Sequence, residues 1–66
     1  MEGTIKRWSD FRGFGLIDVV DQEKDIFVHV NDIKGLTSPK VGDTVEFNVI
    51  ISYKGPQAVN VKLRPS

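Results

Sequence analysis

The sequence predicts an all-β fold, a small closed barrel of five antiparallel strands. Three observations support this prediction. No segment shows a sustained helical period, five segments are rich in β-branched residues or alternate apolar with polar residues, and turn-forming residues separate them.

The strands are predicted, in chain order, over residues 3–8, 13–20, 26–30, 45–49 and 59–63. The third strand alternates most clearly, with Ile26, Val28 and Val30 on the face expected to form the core and Phe27 and His29 on the other. The fourth and fifth strands alternate in the same way, whereas the first two are recognised mainly by their β-branched residues.

Polar and turn-forming residues lie between the predicted strands, at 21–24, 32–42 and 54–56. The middle connection is the longest, and a single helical turn at residues 31–34 fits at its start. Five short strands leave exposed edges unless the sheet closes into a barrel. The small five-stranded Greek-key barrel is the oligonucleotide/oligosaccharide-binding (OB) fold. On strand count alone, an SH3-like barrel is the alternative.

Length and composition limit the classes of protein that fit. The 66 residues make one domain, residues 1–66, and they contain no cysteine for a disulfide or a thiolate metal site. The longest apolar run, residues 49–51, is far shorter than a membrane span, and residues 1–4 lack the basic and apolar regions of a signal peptide. We therefore expect a cytoplasmic protein with no cofactor, no metal and no membrane partner.

The sequence offers no convincing catalytic or metal-binding group. No phosphate-binding glycine loop is present, and the serines have no evident catalytic partner. His29 with Asp25 and Asp32 is a poor set of metal ligands, because one histidine and scattered carboxylates do not share a face. We do not expect an enzyme.

The charge balance by itself argues mildly against nucleic acid as a partner. Nine basic residues balance nine acidic ones, whereas a nucleic-acid-binding domain is typically basic. The basic residues Lys6, Arg7 and Arg12 are nevertheless concentrated near the amino terminus. A neutral chain with a local basic face should depend on base stacking more than on phosphate contacts.

Two segments place aromatic side chains on the face opposite the predicted core. In residues 12–17, Arg-Gly-Phe-Gly-Leu-Ile, Phe14 points outward if Ile17 points inward, and the glycines beside Phe14 leave room for a flat partner. Alternatively, Phe14 is a barrel residue and the glycines serve strand curvature. Phe27 and His29 repeat the outward pattern on the next strand, which favours a surface for stacked bases.

Four segments resemble the cold-shock domain family. They are residues 3–6 (Gly-Thr-Ile-Lys), 12–17, 26–29 (Ile-Phe-Val-His) and 54–61 (Lys-Gly-Pro-Gln-Ala-Val-Asn-Val). The last is the most specific, because RNA-recognition-motif domains share a similar Gly-Phe-Gly segment but lack this ending. The resemblance covers nearly the whole chain. It implies a five-stranded OB barrel that binds single-stranded RNA and DNA with low sequence preference and acts as an RNA chaperone.

The resemblance assigns site residues one by one. Eight residues fall on positions that the family uses at its binding face: Lys6, Arg12, Phe14, Asp25, Phe27, His29, Lys54 and Pro56. Four other positions at this face depart from the family pattern. Arg7-Trp8 replaces the usual Trp-Phe, Leu16 replaces a phenylalanine, and Val30 replaces an aromatic residue of many bacterial members.

The departures predict weaker binding or a shifted balance of stacking and charge, because each stacked base contributes roughly 1–3 kcal/mol. Arg7 is a plausible substitute, since a guanidinium can stack on a base and contact a phosphate. Leu16 and Val30 offer apolar contact with little stacking. Strict alternation places Trp8 outward, whereas a β-bulge would turn it toward the core; we expect the outward position. Phe11 is either a further ring at the edge of the surface or a packing residue.

A protein-interaction barrel that uses the same apolar surface is the alternative function. Neutral net charge favours it, whereas the interleaving of Arg12, Phe14, Phe27 and His29 favours nucleic acid. We expect a monomer, with dimerisation through a strand edge as the alternative.

Overall fold

A computed structural model describes residues 1–35 and 38–64 of the chain. Residues 36 and 37, within the predicted long connection, lie outside the described residues. The described part contains six strands and one 3₁₀ turn, in the order β1 (Glu2–Ser9), β2 (Phe14–Asp18), β3 (Ile26–His29), η1 (Val30–Asp32), β4 (Ile33–Lys34), β5 (Thr44–Ser52) and β6 (Gly55–Leu63). None of its helices is long and apolar enough to cross a membrane.

The strands form one sheet that closes on itself. Their order is β3-β2-β1-β5-β6-β4, and β3 also pairs with β6. The closing pair is parallel and joins Phe27 to Gln57 and Val28 to Ala58, whereas the pairs from β3 through β1 and β5 to β6 are antiparallel. The predicted five-stranded barrel is therefore confirmed, and the two-residue β4 adds only a short parallel edge to β6.

The core consists of alternating residues from the five main strands and the adjoining turn. Nine hydrophobic residues are buried: Ile5, Ile17, Val19, Ile26, Val28, Val45, Phe47, Ala58 and Val61. No polar or charged residue is buried among the described residues. Because the side chains of a strand alternate between faces, the same strands present their other residues to solvent.

The first correction concerns Val30, which was predicted to face the core as the last residue of the third strand. β3 ends at His29, and Val30 begins the 3₁₀ turn with 42% of its surface exposed. His29 caps this turn, because its Nδ1 accepts a hydrogen bond from the Asn31 backbone nitrogen at 3.1 Å. The local hydrogen bond ends the alternation one residue early. The helical turn predicted at residues 31–34 corresponds to η1, displaced toward the amino terminus.

The second correction concerns Trp8, which was expected to point outward. Ile5 pairs with Ile17, but Arg7 pairs with Leu16, so that β1 carries a β-bulge at Lys6. The extra residue lets Lys6 and Arg7 both lie at the surface and reverses the alternation after them. Trp8 consequently lies opposite Gly15 on the core side, half-buried and packed against the buried cluster.

Gly15 is required by this arrangement. A Cβ atom at Gly15 would meet the Arg7 carbonyl oxygen and lie 2.8 Å from the Trp8 ring atom Cε3. Gly15 is itself buried. The space that it leaves is thus filled by β1, and the interpretation of this glycine as an opening for a flat partner is wrong.

The β5–β6 hairpin is longer than predicted. β5 ends at Ser52 and β6 begins at Gly55. The turn therefore consists of Tyr53 and Lys54 instead of the predicted residues 54–56. The Ser52 hydroxyl donates to the Gly55 carbonyl at 2.9 Å and fixes the turn. Ile51 near the tip is 81% exposed, because the hairpin extends past the core.

Candidate nucleic-acid interface

Two phenylalanine rings lie side by side on the outer face of β2 and β3. Phe14 pairs with His29 across these strands, and Leu16 pairs with Phe27. The Phe14 and Phe27 ring centroids are 5.5 Å apart, with the ring planes tilted by 33°. All four side chains are half-buried. The two rings thus form a tilted pair that remains partly exposed.

The His29 ring is held in a defined orientation at one side of the phenylalanines. Its Nδ1 accepts the hydrogen bond from Asn31 described above. In a neutral imidazole the proton therefore resides on Nε2, which makes Nε2 a donor. A ring fixed in this way can stack on a base and donate a hydrogen bond to a base or phosphate oxygen.

A hollow of about 450 Å³ lies beside Phe14, over the paired strands β1 and β2. Arg7 and Leu16 are paired on its floor, and it is lined by Lys6, Arg7, Trp8, Ser9, Arg12, Phe14, Gly15, Leu16 and Val41. Trp8 lines the hollow and also packs against the buried core, and its Nε1 donates to Asp10 Oδ1 at 2.8 Å. The indole therefore contributes a fixed wall to the hollow and is not a freely exposed stacking platform.

The basic residues of this face are only partly neutralised. Lys6 Nζ lies 3.2 Å from Asp25 Oδ2, so the predicted site residue Asp25 holds a predicted phosphate-binding lysine. Within residues 1–35 and 38–64, Arg7, Arg12 and Lys54 form no ion pair with a carboxylate. The face therefore carries local positive charge despite the neutral total.

Lys54 reaches the rings from the β5–β6 turn. Its Nζ lies 5.5 Å from the centroid of Phe27, a cation–π contact. Pro56, at the start of β6, is half-buried opposite Ile51 and directly precedes Gln57, which pairs with Phe27. The side chain of Gln57 donates to Asp32 Oδ2 at 3.0 Å and fastens the 3₁₀ turn to β6.

The structure brings most of the predicted site residues to one face. Phe14, Leu16, Phe27 and His29 form its centre, and the four cations Lys6, Arg7, Arg12 and Lys54 surround them. Val30 lies near Gly13 at the margin, where a Cβ on Gly13, which has φ +74°, would be 3.2 Å from Val30 Cγ1. The packing alternative for Phe11 is excluded, because this ring is 99% exposed.

Sequence reasoning missed two residues at this face. Val41 lines the hollow, although it belongs to a connection that was treated as a spacer. Tyr53 lies beside Lys54, whose Nζ is 5.9 Å from the Tyr53 ring centroid. Its position directly before the Lys-Gly-Pro segment was the available signal for Tyr53. No local pattern marks Val41, because its proximity depends on the closure of the barrel.

A larger hollow of about 660 Å³ lies elsewhere on the barrel. Its lining mixes the charges of Lys34, Lys62, Glu2 and Glu46, and its one aromatic residue, Phe47, is only 3% exposed. A surface without an exposed ring and with both signs of charge does not suit nucleobases. Groups of three or more histidine, aspartate or glutamate residues that could hold a metal ion are absent from the described part of the chain.

The fold and this face define a small OB barrel with an aromatic and basic outer surface. The family model of the "Cold-shock" DNA-binding domain matches residues 1–64. The chain therefore belongs to the cold-shock domain family, a family of nucleic-acid-binding domains that are not enzymes.

Curated relatives and a solved structure agree with this assignment. The chain is 41% identical over 63 residues to a cold shock-like protein of Aquifex aeolicus, covering 92% of this chain and 90% of that protein. It is 44% identical over 62 residues to the cold shock protein CspA of Staphylococcus saprophyticus, covering 91% and 92%. The structure resembles Drosophila Unr CSD456 with a TM-score of 0.81 and 29% identity, over 97% of this chain and 26% of that one. The SH3-like alternative is thereby excluded.

Proposed function

We propose that this domain binds single-stranded RNA and DNA with little base preference on the outer face of β1, β2 and β3. The observation that carries the proposal is the pair of partly exposed rings, Phe14 and Phe27, with centroids 5.5 Å apart. Around them lie three cations that form no ion pair within the described residues. Bases stack on aromatic faces regardless of their identity, while the phosphates between them contact basic residues.

Each residue has a distinct part in the proposed binding. Phe14, Phe27 and His29 stack on bases, and Arg12 and Lys54 contact phosphates. Arg7 lies over the hollow beside Leu16 and takes either a base face or a phosphate, since a planar guanidinium serves both purposes. Asp25 keeps Lys6 extended across the sheet through their ion pair.

The proposed consequence for RNA is chaperone activity. A domain that binds only unpaired strands stabilises the open form of a hairpin, in the same way that any ligand stabilises the state it binds. Melting of secondary structure then follows from mass action, without hydrolysis of a nucleotide. We propose that residues 1–66 act in this way as one monomeric domain in the cytoplasm, on transcripts during transcription or translation.

Titration of Trp8 fluorescence with oligothymidine and oligouridine tests the proposal. Trp8 is the single tryptophan of the chain and lines the hollow, so a strand in the hollow should change its emission. We expect a saturable change with both oligonucleotides and a much weaker response to a blunt duplex of the same sequence. Absence of binding to either single strand, measured also by anisotropy of a labelled oligonucleotide, would contradict the proposal and favour the protein-interaction barrel.

A further inference from the structure

A further exposed ring beside the candidate interface is Tyr53, at the tip of the β5–β6 hairpin. Its side chain is 95% exposed, and it is the one tyrosine of the chain. The turn is rigidly defined, because Ser52 Oγ accepts from the Lys54 backbone nitrogen at 3.3 Å and donates to the Gly55 carbonyl at 2.9 Å. The fold therefore holds the backbone of the turn in place and leaves the Tyr53 ring exposed.

Lys54 connects Tyr53 with the phenylalanine pair. Its Nζ lies 5.9 Å from the Tyr53 centroid and 5.5 Å from the Phe27 centroid, so one ammonium group contacts both rings. Phe27 in turn contacts Phe14. A continuous line of ring, ring, cation and ring thus leads from the sheet onto the hairpin, through Phe14, Phe27, Lys54 and Tyr53.

This line matches the chemistry of a single strand, in which bases alternate with phosphates. An exposed cation–π contact is weak, so Lys54 can leave the rings at small cost. A phosphate is a stronger partner for the ammonium than a ring, because it carries a full negative charge. Movement of Lys54 to a phosphate would leave the Phe27 and Tyr53 faces on either side open to bases.

We infer that Tyr53 is an additional stacking position that extends the nucleic-acid site from the sheet onto the β5–β6 hairpin. One base stacks on Phe27, the next phosphate contacts Lys54, and a following base stacks on Tyr53. This inference rests on the proposed function. It adds a ring at the edge of a surface whose interior has Arg7 and Leu16 where the family typically has rings.

Fluorine NMR of protein labelled with 3-fluorotyrosine tests the inference directly, because a single tyrosine gives a single signal. We expect that signal to shift on saturation with oligothymidine of about eight nucleotides, within the range of site sizes known for OB folds. In parallel, Tyr53→Ala should weaken binding about fivefold or more. Tyr53→Phe retains the ring and should restore most of the affinity. Val20→Ala, which removes an 86% exposed apolar side chain outside the site, should leave binding unchanged.

A series of oligothymidines of increasing length provides the second measurement. In the wild type, each added nucleotide should raise the affinity until all stacking positions are filled. In Tyr53→Ala, this increase should end one nucleotide earlier. The inference would be overturned if the fluorine signal did not shift and Tyr53→Ala bound with wild-type affinity, while Phe27→Ala still bound more weakly. If no oligonucleotide binds the wild-type protein, the proposed function itself fails.

Discussion

Replacement of Phe27 by alanine removes the centre of the candidate interface. The ring lies on the outer face of β3. Its centroid is 5.5 Å from the Phe14 ring centroid and 5.5 Å from Lys54 Nζ. Loss of one stacked base should weaken single-strand binding by roughly 1–3 kcal/mol. This corresponds to a dissociation constant about 5 to 150 times higher.

The same substitution should destabilise the barrel moderately. It removes an aromatic pair that contributes about 0.5–1.5 kcal/mol to stability and an exposed cation–π contact that contributes about 0.5–1 kcal/mol. Ile26→Val is the matched control, because Ile26 is the adjacent residue of β3, points into the core and is 1% exposed. Loss of one buried methyl group from Ile26 should lower the free energy of unfolding by a comparable amount, about 0.5–1.5 kcal/mol.

Denaturant unfolding and anisotropy of labelled oligothymidine measure the two effects separately. Both variants should unfold at lower denaturant concentration, but only Phe27→Ala should bind more weakly. Equal loss of affinity in both variants would mean that binding follows stability and not the ring. Wild-type affinity of Phe27→Ala would show that the outer face of β3 is not the binding surface.

Three further perturbations test the charge and the packing of the same face. With about three or four phosphate contacts from the basic residues, the slope of log affinity against log salt should be about −2 to −3 for single strands, and a much steeper slope would refute the importance of stacking. Arg7→Trp should raise affinity and make this slope less steep by about 0.7, because it exchanges one phosphate contact for a ring; equilibrium titration at several salt concentrations measures both. Gly15→Ala should destabilise the domain by about 3 kcal/mol, the upper end of overpacking costs, because its Cβ meets the Arg7 carbonyl and the Trp8 ring, and unchanged denaturant unfolding would contradict this packing.

The sequence predicted the fold because alternation and turn residues are local signals, and the barrel buries the alternating residues as expected. Ile26 and Val28 are buried, and Phe27 lies on the other face of the same strand. The prediction was wrong where a local irregularity interrupts the alternation. The bulge at Lys6 turns Trp8 inward, and a single hydrogen bond to His29 ends β3 before Val30.

The arrangement of the candidate site was less accessible to sequence reasoning, because it depends on pairs distant in the chain. Tyr53 lies near Phe27 only because β6 pairs in parallel with β3 and thereby closes the barrel. Val41 reaches the hollow from a long connection. The position of Tyr53 directly before the Lys-Gly-Pro segment was the one available signal for it, and no local pattern marks Val41.

The β-bulge explains how a chain of zero net charge can present a basic face. Regular alternation would send either Lys6 or Arg7 to the core side, whereas the extra residue leaves both exposed and assigns the core position to Trp8. The outer row that follows from the pairings runs from Arg7 through Leu16 and Phe27 to Gln57. This row contains one cation and one ring, so in the proposed binding mode a nucleic-acid strand lying across it would meet charge at the β1 side and stacking at the β3 side. In the proposed binding mode, the further stacking positions lie outside the row, at Phe14 and His29 on the sheet and at Tyr53 on the hairpin.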